Sequence, residues 1–239
     1  MRHARAFLAS PALLPPLLLL LLAGPAAVRA QAQAQVQSLA PAGDAVSYRD
    51  AYRAMVVFEK YGGPKHLLQN QLQVVPQDRS VLGDGLQLTL AGKTTQLHLS
   101  LDALGRTPLP LQKAAYDDNA ALTLNRKGIP FTLRPQLAIA ARPDGVYDSS
   151  DLRAGCAQAL GFARYADASQ RGRQCAGVRF VFMKKGDSGV QLRREGGAEE
   201  RLPVGVGEEG LPVVNVRFGS ERVQVVTSNV PLAILPVFE

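Results

Sequence analysis

Between residues 86 and 101 hydrophobic and polar positions alternate with a period of two. Leu86, Leu88 and Leu90 fall on one face of a strand, and Leu97, Leu99 and Leu101 fall on one face of another. The polar run Ala-Gly-Lys-Thr-Thr-Gln between them predicts a hairpin. The same alternation occurs in "LLQNQLQVV", "ALTLN" and "FTLRPQLAIAA". In the last of these Pro135 lacks an N–H donor, which predicts an edge or a break. "RPDG" at 142–145 predicts a turn.

Two stretches change to the helical period. From Ser47, the residues Tyr48, Ala51, Tyr52, Met55 and Phe58 recur on one stripe, and Gly62-Gly63-Pro64 ends it. Ser47 with Asp50 resembles a capping box. A second helix is predicted at about 150–165, capped by Ser150, with Leu152, Cys156, Ala159 and Ala163 on its buried stripe. Gly155 and Gly161 each weaken it by about 1 kcal/mol, so it depends on packing.

The last third returns to alternation. "VRFVFMKK" and "VQLRRE" flank "GDSG", and "VVNVRF" and "RVQVV" flank "GSE". Each pair reads as a hairpin, the second placing Val214, Val216 and Phe218 beside Val223 and Val225 on one sheet face. The predicted fold is mostly β within the α+β class: sandwich-like or partly closed barrel sheets with two added helices.

The N-terminus has a different character. Arg2 and Arg5 precede a short apolar run, and Val28 and Ala30 supply the small residues of a cleavage site, so residues 1–30 read as a secretory signal. Residues 31–43 are an Ala/Gln-rich flexible lead-in. The globular region is 44–239, with two lobes, 44–148 and 149–239, as one possible division. Removing the leader takes three arginines and no acid, so the net charge falls from +7 to +4. That is an ordinary surface, and nucleic acid is not implied. After signal removal no transmembrane segment is expected.

Export changes how Cys156 and Cys175 are read. An even cysteine count in an oxidising compartment predicts one disulfide, contributing about 3 kcal/mol and tying the second helix to the strand that follows. The location expected is the periplasm.

The candidate chemistry is sparse. Asp117, Asp118 and Asn119 are consecutive oxygen donors without the alternate spacing and glycine of a calcium loop, so they read as a turn. "GDSG" at 186–189 resembles the active-serine signature of trypsin-like proteases over four residues. Val190 departs from the fifth, and neither His66 nor His98 has that family's sequence setting. Its residues therefore read as a turn. Asp102 lies four strand residues from His98, about 13 Å, too far for a direct hydrogen bond. No zinc set, phosphate loop or dinucleotide fingerprint occurs, and no cofactor is expected.

Arg179, Lys184, Lys185, Arg193 and Arg194 decorate one predicted hairpin, with Arg171 and Arg173 just before it. They offer a contact surface for an anionic envelope component; the plainer reading is a solvated hairpin whose charge resists edge pairing. The stretch "LSLDALGRTPLPL" (99–111), within 86–141, resembles segments of uncharacterised exported envelope proteins of Gram-negative bacteria, a resemblance that implies no activity.

The expected role is non-catalytic binding or scaffolding in the envelope, with an envelope protein or anionic component as partner. The alternatives are a hydrolase built on Asp102, Asp117 or Asp118, and a lipid or small-ligand carrier.

Overall fold

The computed structural model describes residues 39–239 apart from 84, 185 and 187, and for 39–42 the backbone alone. The expected signal segment 1–30, most of the lead-in and Lys185 lie outside the described residues.

The first half of the chain supplies β1 (Leu39–Gly43), β2 (Ala45–Ser47), α1 (Tyr48–Lys60), β3 (Leu68–Pro76), β4 (Gln87–Ala91), β5 (Gln96–Ser100), β6 (Arg106–Thr107), α2 (Lys113–Asp117), β7 (Ala121–Leu124) and β8 (Phe131–Ile139). The second half supplies β9 (Val146–Asp148), α3 (Ser149–Ala166), β10 (Cys175–Val181), β11 (Val190–Arg194), β12 (Glu199–Arg201), β13 (Gly205–Val206), β14 (Pro212–Arg217), β15 (Val223–Thr227) and β16 (Ala233–Phe238).

These strands form three sheets. The largest runs β13-β14-β10-β16-β8-β3-β6, with β1 added alongside β8. Two four-stranded sheets, β2-β7-β4-β5 and β12-β11-β15-β9, pack against it. The architecture is sandwich-like and mostly β, and among the described residues no sheet closes into a barrel.

Strand alternation places both main cores on one face of the large sheet. The first core joins Leu72, Val74, Phe131 and Leu133 of that sheet to Leu88, Leu90 and Leu122 of the β4 sheet and to Tyr48, Ala51 and Met55 of α1. The second joins Val178, Phe180, Val214, Val216 and Ile234 to Val190 and Val225 of the β11 sheet and to Leu152, Cys156 and Ala159 of α3. The opposite face carries a smaller cluster of Leu104, Val181, Leu211, Val213 and Ala233.

Several local expectations hold. β4 and β5 pair as the hairpin, Leu88 opposite Leu99 and Leu90 opposite Leu97. α1 buries Tyr48, Ala51, Met55 and Phe58 and ends before the Gly-Gly-Pro sequence. Cys156 and Cys175 form the disulfide, 6.0 Å between Cα atoms, which fastens α3 to the start of β10. Pro135 pairs with Leu72 of β3 on one side. On the other side the partners of β8 stop at Leu133 and resume at Ile139, so the proline lies at a gap in the sheet.

Other expectations are corrected. Ser47 does cap α1 by position, but without a side-chain capping bond. Its hydroxyl instead donates to Asn119 Oδ1 at 3.3 Å, while the amide of Tyr48 donates to Ala120 O at 2.9 Å. The neighbouring loop thus takes up one free amide of the first helical turn, that of Tyr48, rather than the two amides a capping box pairs. Asp148, not Ser150, occupies the N-cap position of α3. Gly155 has a packing role: a Cβ there would approach Ile139 to 3.0 Å. Leu39–Gly43, expected as flexible, pairs with β8. A third, short helix, α2, takes in Asp117, so only Asp118 and Asn119 of the three expected turn residues form the turn.

The largest correction concerns the last third. β10 and β11 are not a hairpin, because β10 pairs with β14 and β16 while β11 pairs with β12 and β15. Likewise β14 and β15 lie in different sheets. Both connections are arches: the chain leaves one sheet and enters the sheet packed on it. Val214 and Val216 therefore meet Val225 across the core rather than side by side.

Candidate functional site

The polar clusters offered by the sequence are engaged locally. Asp118 and Asn119 form the turn after α2, with Asn119 at φ 50°. Asp118 Oδ2 accepts from the amide and hydroxyl of Thr94 at 3.4 and 3.3 Å, and Asp117 pairs with Lys113. Asp102 Oδ1 accepts from the amides of Leu104 and Arg106, both at 2.9 Å, and its Oδ2 holds the Arg106 guanidinium at 2.7 Å. Arg106 is buried and donates further to Leu232 O, so this ion pair fastens the 102–106 turn to the start of β16. Asp102 and the Thr94–Asp118 contact lie at opposite ends of β5, a strand about 17 Å long. These carboxylates do not converge on one cleft.

The Gly-Asp-Ser-Gly segment lies in the eight-residue connection 182–189 between sheets. Gly189 O accepts from the amide of Ser228 at 3.0 Å. His98 bonds Thr89 across the β4–β5 hairpin, 3.2 Å from Nδ1 to Oγ1, and His66 lies 3.4 Å from Gln158 Nε2. Neither histidine addresses Ser188, as a protease would require.

The arch also takes apart the predicted basic surface. Arg179 projects from β10 on the face opposite Phe180, with Nε donating to Asn215 Oδ1 at 3.0 Å. Arg193 points outward from β11, with Nε on Glu199 Oε1 at 2.9 Å and Nη1 on Gln224 Oε1 at 3.3 Å. Lys184 is exposed in the connection between the two. Arg179 and Arg193 thus belong to separate sheets and do not form one patch.

Arg194 has a different position. On β11 it follows Val190 and Leu192 on the inward-facing register, and at the end of the strand it reaches a cleft of about 230 Å³. The cleft lies where β14 passes to β15 through residues 218–222 and where α3 begins. Leu152, Leu192, Val216, Phe218 and Val223 give it an apolar floor, and Arg153, Arg194, Arg217 and one carboxylate, Glu221, rim it.

The three arginines are held differently. Arg194 contacts Glu200 at 2.7 Å and Glu221 at 3.4 Å, and the Glu200 hydrogen bond raises its pKa. Arg217 extends into solvent, 3.6 Å from Glu239. The guanidinium of Arg153 lies 4.8 Å over the Phe218 ring and donates to Gly219 O. Among the described residues no carboxylate pairs with it. The first turn of α3, whose Ser149 hydroxyl accepts from the Val223 amide at 3.1 Å, adds the positive end of a helix.

Guanidinium groups remain protonated and only donate hydrogen bonds. Beside Arg153, whose guanidinium no described carboxylate takes up, the cleft suits holding an anionic group with an apolar portion, while Glu221 is turned to Arg194. Sequence reading found Arg194 but not Arg153 or Arg217. They come from α3 and β14, and no local pattern links them to β11.

Comparison of the chain with protein-family models, with curated proteins and with solved structures finds no match.

Proposed function

We propose that this chain is exported to the periplasm through a cleaved N-terminal signal and acts there as a non-catalytic binding or scaffolding protein of the envelope. Its partner is an anionic envelope component, seated by an anionic group in the cleft beside Arg153 and Arg194. The observation that carries the reading is Arg153: a guanidinium over an apolar floor with no carboxylate partner among the described residues. The disulfide supports an oxidising location. Among the described residues no helix is long and apolar enough to cross a membrane.

The two rivals receive less support. A hydrolase needs carboxylates that converge in a cleft, and those at 102, 117 and 118 are separated and locally engaged. A carrier needs an enclosing cavity; the cleft, at about 230 Å³, is smaller than the roughly 300–1,000 Å³ of small-ligand pockets. It fits a terminal group rather than a whole lipid.

Site-specific photocrosslinking in intact cells tests the reading. A crosslinker at Ser220, beside the cleft, is expected to capture one discrete adduct that disappears with Arg153→Gln. A crosslinker at His98, on the outer side of β5, is expected to capture none. Equal labelling at both positions, or a Ser220 adduct indifferent to Arg153→Gln, sinks the proposal.

A further inference from the structure

The two long helices end side by side, and their ends build a second surface. Tyr61, the residue that caps α1, packs against Phe162 and Tyr165 of α3, with ring centroids 5.5 and 5.2 Å apart. Phe58 lies beneath, 5.2 Å from Phe162. This packing needs the glycine inside α3: a Cβ at Gly161 would lie 2.7 Å from the Tyr61 hydroxyl. Aromatic rings usually complete a core, but here the cluster reaches the surface, and Tyr165 is 57 % exposed.

Basic residues occur on the same helix ends, and Lys65 Nζ lies 5.1 Å over the Phe58 ring. Lys60 and Arg164 are exposed on the last turns of α1 and α3, and Arg171 is exposed on the following segment. Arg164 donates to Arg173 O, which brings that segment against α3. Lys65 donates to Phe58 O and Glu59 O, each at 2.8 Å, at the negative end of α1. The nearby acids are fewer. Glu59 is exposed, and the carboxylate of Asp167 is taken up by Ser169 and Gln170, which lowers its pKa.

We propose that this surface docks on an anionic phospholipid membrane. Tyrosine and phenylalanine have an apolar body, and tyrosine adds a polar tip, the chemistry that settles at a bilayer interface. The exposed Lys60, Arg164 and Arg171 on these helix ends complement anionic headgroups. A soluble polyanion would engage the cations and leave the rings idle, so the combination favours a lipid surface. The proposal does not rest on the cleft. The cleft borders the first turn of α3 and the aromatic surface its last turns, about 18 Å apart along the helix from Arg153 to Tyr165. A chain docked in this way would hold the cleft away from the bilayer.

The chain contains no tryptophan, so Tyr165→Trp installs a single reporter at an exposed position. The purified, oxidised protein is mixed with vesicles of phosphatidylethanolamine and phosphatidylglycerol, or of phosphatidylcholine alone. Binding to the phosphatidylglycerol vesicles with a blue-shifted emission from the introduced indole is expected, with little binding to phosphatidylcholine. Removing one cation, Arg164→Gln or Arg171→Gln, should weaken binding about fivefold, and added salt should weaken it further. Arg153→Gln at the cleft should leave it unchanged. The proposal is overturned by any of three results: no vesicle binding, binding without an emission shift, or equal binding to soluble polyglutamate with the same loss in the Arg164 and Arg171 variants. Circular dichroism of each variant confirms that the fold persists.

Discussion

The β4–β5 hairpin and the β10–β11 arch begin from the same kind of sequence: two alternating runs joined by a polar, glycine-containing stretch. In the first, four residues turn the chain, with Gly92 N to Thr95 O at 2.7 Å, and the strands pair side by side. In the second, eight residues carry it across the core, and each strand pairs with others. Paired strands lie about 4.8 Å apart and packed sheets about 10 Å apart. Alternation says which side chains are buried; it does not say whether the next strand lies beside them or opposite them. That choice depends on the length of the connection and on which other strands are available.

Swapping the connections should break this comparison most severely. Replacing residues 183–188 with Asn-Gly imposes a tight turn where sheet-to-sheet distance must be spanned. The cooperative thermal transition should be lost. Placing Asn-Gly at Lys93 and Thr94 should cost only about 1 kcal/mol, mostly the Thr94–Asp118 bonds. If both variants melt alike, the distinction drawn between hairpin and arch is wrong.

Core truncations should rank the two regions next. Phe180, fully buried between the arched sheets, should cost about 3–5 kcal/mol as Phe180→Ala in urea unfolding. Leu97 on the half-buried face of β5 should cost less, about 1–2 kcal/mol as Leu97→Ala. Replacing both cysteines with serine should remove about 3 kcal/mol, and only from the half that contains the arches. A mutant as stable as the parent under oxidising conditions would show that α3 does not need the tie.

Smaller effects should separate the two cores chemically. Tyr48 in the first core donates to Pro110 O at 2.6 Å and accepts from Gln112 N at 2.8 Å. Tyr48→Phe should cost about 1–3 kcal/mol by leaving those groups unpaired. Burial pushes the pKa of Tyr48 up, and likewise that of Tyr147 in the second core. The folded state therefore holds both protonated above the ordinary value near 10. Their contribution is complete below pH 10 and is lost as pH rises through their raised folded values. Ultraviolet titration of the folded chain should show a tyrosine step above pH 10 that shrinks in Tyr48→Phe. Complete ionisation of Tyr48 and Tyr147 by about pH 10 in a folded chain would contradict this.

The candidate site was legible only in fragments. Arg194 stood out because it follows another arginine beside predicted turns. Arg153 and Arg217 carry no local signal; they matter because α3 begins where β14 turns toward β15. The expected basic surface failed for the same reason: Arg179 and Arg193 looked like neighbours on a hairpin that does not exist. The Ser47 box failed because a loop more than 70 residues away, ending in Asn119 and Ala120, reached the start of the helix first.

What the sequence determined by itself is local. The helical stripe from Tyr48 to Phe58 and the leucines at 86–101 follow from spacing, the turn at 142–145 from its proline and glycine, and the cysteine pairing from an even count of two, because hydrophobic period and backbone chemistry act over a few residues. Which strands pair, which face meets which, and which arginines share a cleft were decided only by the tertiary structure. An alternating strand has two edges and two faces of similar chemistry. Only the competition among all the strands to bury those faces selects one arrangement.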